Sequence, residues 1–114
     1  MHFLVTGHTG FKGAWLCLLL SHRGHQVSGL SMDAKAGSLF EKARIQNCLN
    51  ENIACDIRDF TSVNKSFKSV NPDVVIHLAA QSLVRESYRD PATTFETNVI
   101  GTINVLRASQ RWRI

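Results

Sequence analysis

The residues with the most chemical content stand near the start of the chain, in the run Val5-Thr6-Gly7-His8-Thr9-Gly10-Phe11-Lys12-Gly13, where glycines recur as Gly-x-x-Gly-x-x-Gly. A loop bare of side chains at those places can bring its backbone N–H groups close to an anion. Gly7 permits the tight turn, Gly10 the close approach of a phosphate, and Gly13 the close packing of the next helix on the sheet. Phe3-Leu4-Val5, just before the loop, reads as a buried strand, and an apolar helix opens at Phe11 just after it. The first turn of a helix has unpaired N–H groups and a partial positive charge, which suits a diphosphate. Asp33 stands 20 residues beyond Gly13, past the next apolar run. A carboxylate there accepts hydrogen bonds from the ribose hydroxyls of a dinucleotide and repels a 2′-phosphate. That favours NAD over NADP, with Lys35 nearby pulling the other way.

Two further clusters follow the same logic. Asp56-Ile57-Arg58-Asp59 comes at the end of a third, weaker apolar segment. There Asp56 can meet the exocyclic amine of adenine, Ile57 can pack on the ring, and Asp59 can cap the next helix. His77-Leu78-Ala79-Ala80 ends a fourth apolar run. Ligands of open α/β sheets bind where the strand order reverses, and small residues at that point leave room for the nicotinamide ribose. His77, inside an apolar strand, reads as a core histidine with satisfied nitrogens rather than a catalyst.

The elements that must position these groups alternate in kind. Strands are expected at Phe3 to Val5, Gln26 to Leu30, Asn52 to Cys55 and Val74 to Leu78. Helices are expected at Phe11 to Arg23, ended by Gly24, within Gly37 to Arg44, at Phe60 to Val70, and from Pro91 to about Trp112. Trp15, Leu16, Leu19 and Leu20 recur at helical spacing in the first helix, and Phe95, Val99, Ile103 and Leu106 in the last, so each set predicts a buried face. Near-continuous apolar strands alternating with helices predict a parallel sheet covered on both sides. Right-handed crossovers give the order 3-2-1-4, the first half of a Rossmann-type α/β fold plus the first strand of its second half.

Bulk properties remove several other classes. The 114 residues suit one domain, residues 1–114, and carry 44% hydrophobic and 19% charged residues, as soluble globular chains do. The formal charge of +4 comes from scattered basic residues, concentrated only at Arg107, Arg111 and Arg113. Without a basic stripe and aromatic partners, a nucleic-acid binder is not indicated. The apolar run Ala14 to Leu20 is too short to span a bilayer. Cys17, Cys48 and Cys55 are odd in number and lack metal-ligand or redox spacing, so reduced thiols in a cytoplasmic protein are expected and no metal site.

Read together, Thr-Gly-x-x-Gly-x-x-Gly at 6–13, Asp-Ile-Arg-Asp at 56–59, His-Leu-Ala-Ala at 77–80 and Thr-Asn-Val-Ile-Gly-Thr at 97–102 resemble the extended short-chain dehydrogenase/reductase family of NAD-dependent epimerases and dehydratases. Gly-His-Thr-Gly-Phe-Lys-Gly at 7–13, Ser-Leu-Phe-Glu at 38–41 and Ala-Ala-Gln-Ser-Leu-Val-Arg-Glu-Ser-Tyr at 79–88 are most similar to its CDP-glucose 4,6-dehydratase branch. The resemblance implies a lyase that holds NAD, oxidises C4 of a sugar nucleotide, eliminates water across C5–C6 and returns the hydride to C6, in the synthesis of surface polysaccharide. It also implies cofactor contacts from Gly7, Gly10, Phe11, Lys12, Gly13, Asp33, Asp56, Ile57, Leu78, Ala79, Ala80 and Gln81. Asn98 matches a position near the nicotinamide that also braces the sheet, and Ser82 and Arg85 match positions at the mouth of the sugar-nucleotide cleft.

Such enzymes act through a Tyr-x-x-x-Lys pair, with the tyrosine as general base. Here the only tyrosine is Tyr88, followed four residues on by Ala92, and no lysine follows Lys68. The expectation is therefore an N-terminal, NAD-binding portion without a catalytic residue and without the substrate-binding C-terminal part, unable to catalyse alone. Two other readings share these residues: a non-catalytic nucleotide-binding or interaction module, and another epimerase or reductase branch. An unpaired edge on the fourth strand and the apolar last helix predict a homo-oligomer.

Overall fold

A computed structural model describes residues 1–110. Four strands form one sheet, β1 (His2–Thr6), β2 (Gln26–Ser31), β3 (Asn52–Ala54) and β4 (Val74–His77), in the order β3-β2-β1-β4. Every pairing is parallel: Val5 lies beside Gly29 of β2 and Ile76 of β4, and Gly29 in turn beside Asn52 of β3. The helices are α1 (Phe11–His22), α2 (Leu39–Lys42), α3 (Phe60–Val70), α4 (Val84–Arg89), α5 (Pro91–Phe95) and α6 (Gly101–Gln110). A π-helical segment, Glu96–Ile100, joins α5 to α6, and a 3-10 turn covers Ile45–Cys48. The α/β class and the strand order agree with expectation.

Alternation along the strands builds two cores. Leu4 and Leu30 face α3 and α6 and pack with Ile57, Val63, Phe67, Val105 and Ala108. Val5 and Val27 face the other way, with Ala14 and Cys17 of α1 and with Phe40 and Ile45. The long connection between β2 and β3 therefore closes the second core, and its 3-10 turn was not expected from the sequence.

Local chemistry explains the element ends. Gly24 takes φ +86 just past α1, and Asn71 closes α3 in the left-handed region. Asp59 caps α3 by accepting from Thr61 N at 3.1 Å, and Asp90 caps α5 in front of Pro91 at its first turn. The expected cap at Asp59 is thus observed.

The predicted helix faces need correction. In α1 the buried residues are Gly13, Ala14 and Cys17; Leu16 and Leu20 pack half-buried on that core as expected, while Trp15 is 52% and Leu19 51% exposed. The loop clamps Gly13 against the turn, and that contact, rather than bulk apolarity, sets the rotation of the helix. In α6 the buried residues are Gly101, Asn104, Val105 and Ala108, whereas Ile103 and Leu106, like Phe95 and Val99, are exposed. Small residues win the inner face because α6 packs tightly on α3 and on Ile57. The last helix is also interrupted by its π segment, it is preceded by α4, which the sequence reading missed, and Arg111, Trp112 and Arg113 fall outside the described residues. Strands β3 and β4 stop one residue early, leaving Cys55 and Leu78 in the loops.

Candidate functional site

The glycine run forms the bend between β1 and α1. Gly7 takes φ +77, and a Cβ there would stand 2.7 Å from the Ala79 nitrogen, so the loop touches the end of β4 directly. At Gly13 a Cβ would lie 2.2 Å from the Gly7 carbonyl oxygen. Gly13 therefore packs against the turn itself rather than against the sheet. Gly10, by contrast, has only the Gly7 oxygen within reach, at 3.4 Å, and is exposed. That is the open side of the loop, where an anion could approach the start of α1, whose first turn has no acidic residue.

Two residues inside the glycine run hold it in place, and the sequence reading assigned neither a role. His8 is fully buried and donates from Nε2 to Oδ1 of Asn52 on β3 at 2.6 Å. Its ring occupies the space a side chain at Gly29 would need and meets Phe40 edge-on. Burial lowers its pKa, with the Asn52 contact opposing the shift, and its Nδ1 has no hydrogen-bond partner. The Thr9 hydroxyl donates to the Met32 carbonyl at 3.1 Å and meets the Ser31 hydroxyl at 2.9 Å. The loop is thus riveted to the ends of β2 and β3, and the only available sequence signal was its flanking of bare glycines with hydrogen-bonding side chains.

A cleft of about 830 Å³ opens along the C-terminal ends of the strands. It falls within the ordinary range for small-molecule and cofactor sites. Of the sequence candidates it brings together Gly7, Gly10, Phe11, Lys12, Gly13, Asp56, Ile57, Leu78, Ala79, Ala80 and Ser82. Thr9, Ser31, Met32, Cys55, His77, Thr97 and Thr102 complete the wall. Thr97 and Thr102 stand on one wall because residues five apart stack in a π turn. The ordinary helical period puts them on different faces, which is why the sequence did not reveal them.

The remaining candidates stand elsewhere. Asp33 lines a small adjoining pocket with Thr9, Ser31, Met32, Ala34, Asn52 and Ala54. Arg85 is exposed on α4 and is not part of the cleft wall. The Gln81 side chain is spent locally, accepting from Leu83 N at 2.7 Å and donating to Thr94 Oγ1 at 3.0 Å. Asn98 accepts from Gln81 N at 2.7 Å and donates to its carbonyl at 2.9 Å. Its amide pairs with the backbone after β4 as a further strand would, so the bracing part of its expected role is what the geometry displays.

Electrostatics on the β3 side is set by one arginine. Arg58 gives Asp56 a backbone N–H at 3.0 Å and guanidinium contacts at 2.6 to 3.0 Å, and it reaches Glu96 at 3.4 Å. The hydrogen bonds from Arg58 hold the Asp56 carboxyl below its ordinary pKa. Ile57 lines the cleft, but its side chain is buried against Gly101. Buried Asn104 donates to the Ile57 and Arg58 carbonyls at 2.9 and 3.1 Å, tying the loop after β3 to α6. His77 has both ring nitrogens partnered, by Thr6 and Thr102, as expected of a satisfied core histidine, and burial lowers its pKa. Arg107, one of the basic residues near the end of the chain, stacks on Phe60 at 3.8 Å. No cluster of metal-ligating side chains and no helix long and apolar enough to cross a membrane occurs among the described residues. All three cysteines are free.

A loop, a cleft at strand ends and an Asp-Ile-Arg-Asp turn in this arrangement can be compared with known proteins. The family model described as GDP-mannose 4,6 dehydratase matches residues 4–114. The chain belongs to that family. A CDP-glucose 4,6-dehydratase of Salmonella typhimurium is 48% identical over 103 residues, which is 90% of this chain and 28% of the relative. A UDP-glucose 4-epimerase of Halalkalibacterium halodurans is 38% identical over 94% of this chain and 30% of its own length. Among solved structures, the Thermus thermophilus UDP-glucose 4-epimerase in complex with NAD superposes with a TM-score of 0.83 at 31% identity, covering 100% of this chain and 35% of that one. The chain therefore spans about a third of the length of the relatives it matches. The fold class and the relationship to nucleotide-sugar dehydratases and epimerases agree with the sequence reading.

Proposed function

We propose that residues 1–114 are the NAD-binding portion of a nucleotide-sugar 4,6-dehydratase whose sugar nucleotide is CDP-glucose. The observation that carries this reading is the glycine loop at Gly7–Gly13, bent between β1 and α1 with its open side on the cleft. The residues suit a dinucleotide in kind. Gly10, Phe11, Lys12 and Gly13 would hold the diphosphate at the start of α1, Asp33 the adenosine ribose, and Asp56 and Ile57 the adenine. Leu78, Ala79, Ala80 and Ser82 would line the nicotinamide side, with Gln81 and Asn98 supporting that wall and Arg85 nearer the mouth. When bound, NAD supplies the hydride acceptor for oxidation at a sugar carbon, and this chain's own residues bind and orient it. The sequence 1–114 contains no Tyr-x-x-x-Lys pair, so these residues alone are assigned binding and not catalysis.

Asp33 supports NAD over NADP, and three free cysteines suit a cytoplasmic setting. The exposed apolar residues Phe95, Val99, Ile103 and Leu106 support association with a second copy through the last helix. A stable monomer at micromolar concentration in sedimentation refutes that part. The 38% identity to an epimerase supports a second reading, with the same cofactor and a different sugar nucleotide.

Calorimetric titration of the chain with NAD and NADP tests the central claim. Weak binding of NAD, tighter than that of NADP, is the expected result, because contacts from the rest of such an enzyme are missing and association costs at least about 4 kcal/mol. No heat and no saturable signal at millimolar NAD refutes it. Turnover of CDP-glucose to a keto sugar by the longer protein, and not of UDP-glucose, decides between the two branches.

A further inference from the structure

His77 stands at the end of β4, half-buried, on the floor of the cleft. Its Nδ1 lies 2.6 Å from the Thr6 hydroxyl and its Nε2 lies 3.0 Å from the Thr102 hydroxyl. Which nitrogen bears the proton follows from what each hydroxyl already does. The single hydroxyl hydrogen of Thr102 goes to the Asn98 carbonyl at 2.7 Å, so its oxygen can only accept from the imidazole. At the other end, Thr6 Oγ1 accepts the N–H groups of Leu78 at 3.1 Å and Ala79 at 3.2 Å. Both its lone pairs are taken, and its own hydrogen is left for Nδ1. The two ends, on different elements, demand the same tautomer: a proton on Nε2 and a bare Nδ1.

We propose that His77 is a positioning residue, held as one neutral Nε2–H tautomer, that locks the β4 wall of the cleft between β1 and the last helix. The chain of donors runs one way, from the Leu78 and Ala79 N–H groups through Thr6, His77 and Thr102 to the Asn98 carbonyl. Asn98 then grips the backbone of Gln81, so the wall 78–81 is held at both ends, by Thr6 at Leu78 and Ala79 and by Asn98 at Gln81. Thr6 is fully buried, so no water replaces a lost partner there. A second proton on the ring would meet the Thr6 oxygen from Nδ1, and the hydroxyl would have to release one N–H. Leu78 N also has the Thr6 carbonyl at 3.0 Å and is the N–H released at little cost, whereas Ala79 N has Thr6 Oγ1 alone and weakens whenever that hydroxyl turns. Ala79 is also the residue that Gly7 touches, which couples the ring to the glycine loop. The polar groups facing the ring are Thr6 from β1 and Thr102 from α6, and no carboxylate or cation pairs with it among the described residues.

Long-range nitrogen–proton correlation spectra of the full chain read the tautomer directly and need no ligand. The expected result is a pyrrole-type Nε2 and a pyridine-type Nδ1 at neutral pH, with ring protonation setting in only below the free-imidazole range. An Nδ1–H form, or an average of the two, overturns the proposal. Two variants test the effect on the cleft, with NAD as the probe, and this part rests on the proposed NAD site. His77→Gln offers both a donor and an acceptor, and should keep Ala79 amide protection and NAD affinity within about threefold, whereas His77→Leu should lose the protection and about tenfold in affinity. Equal behaviour of the two variants refutes the positioning role. Failure of the unsubstituted chain to bind NAD counts against the proposed function, and the spectra and amide protection still decide the role of His77. If His77→Leu does not fold, the tautomer in the unsubstituted chain carries the decision.

Discussion

Replacing Gly13 by alanine sets two effects of opposite sign against each other. In an open helix the change stabilises, by about 1 kcal/mol of helix propensity. Here the added Cβ would stand 2.2 Å from the Gly7 carbonyl oxygen and 2.8 Å from His8 Cα, both main-chain atoms. The helix start must move by about an ångström to restore ordinary contact, and overpacking of that kind costs about 1–3 kcal/mol. The Gly7 carbonyl also accepts from Gly10 N at 3.1 Å, and Gly7 N donates to Leu30 at 2.9 Å. Weakening each bond adds about 0.5–1.5 kcal/mol. Strain wins, and Gly13→Ala should lose about 2–4 kcal/mol of unfolding free energy. Gly101→Ala is the control: the three atoms nearest its Cβ all belong to the Ile57 side chain, whose Cδ1 and Cγ1 lie 2.4 and 2.6 Å away and can rotate. It should cost less. Urea unfolding followed by far-ultraviolet circular dichroism gives both values. A Gly13→Ala variant as stable as the unsubstituted chain, or less affected than Gly101→Ala, refutes the argument that the turn and helix are clamped through bare backbone.

Three further outcomes are expected. Asn104→Leu should destabilise by about 2–3 kcal/mol, because it leaves the Ile57 and Arg58 carbonyls without their side-chain donor, and the same urea titration measures it. His8 and His77 both have pKa values lowered from 6.5 by burial, so the unfolded chain binds more protons near that pH. Their contribution to stability should be full above about pH 7 and fall as pH drops through 6.5, and thermal unfolding across pH 5–8 at constant ionic strength that shows no such fall refutes the burial argument. On the proposed NAD site, Asp56→Asn should reduce the preference for NAD over its hypoxanthine analogue, which lacks the exocyclic amine, and competitive titration reads that ratio.

The strand order was legible because it follows from local signals that act independently. Each apolar run reports burial on both faces, each connection is long enough for a crossover, and crossovers are right-handed. The three glycines were legible for a similar reason: a turn that needs φ +77 at Gly7 and no Cβ at Gly13 tolerates little else, so residue type alone announces the backbone. The cap at Asp59 is equally local.

What escaped the sequence depends on which groups meet in space. Spacing marked Trp15 and Leu19 as apolar but could not say which way α1 turns, because that is decided by a main-chain contact between Gly13 and Gly7. The last helix likewise hides Gly101, Asn104, Val105 and Ala108 and exposes the bulkier Ile103 and Leu106, since close approach to α3 and Ile57 rewards smaller side chains. Thr97 and Thr102 meet the cleft together only through a π turn. The direction of the Thr6–His77–Thr102 chain exists only when β1, β4 and α6 are brought together, because a hydroxyl's choice of donor or acceptor is made by its neighbours in space. The order of residues alone determined the fold and the placement of the loop, where short-range backbone sterics and burial patterns suffice. Helix rotation, the composition of the cleft wall and the protonation of its histidine were decided by packing, because each depends on which groups meet in space, and apolar spacing along one element does not record that.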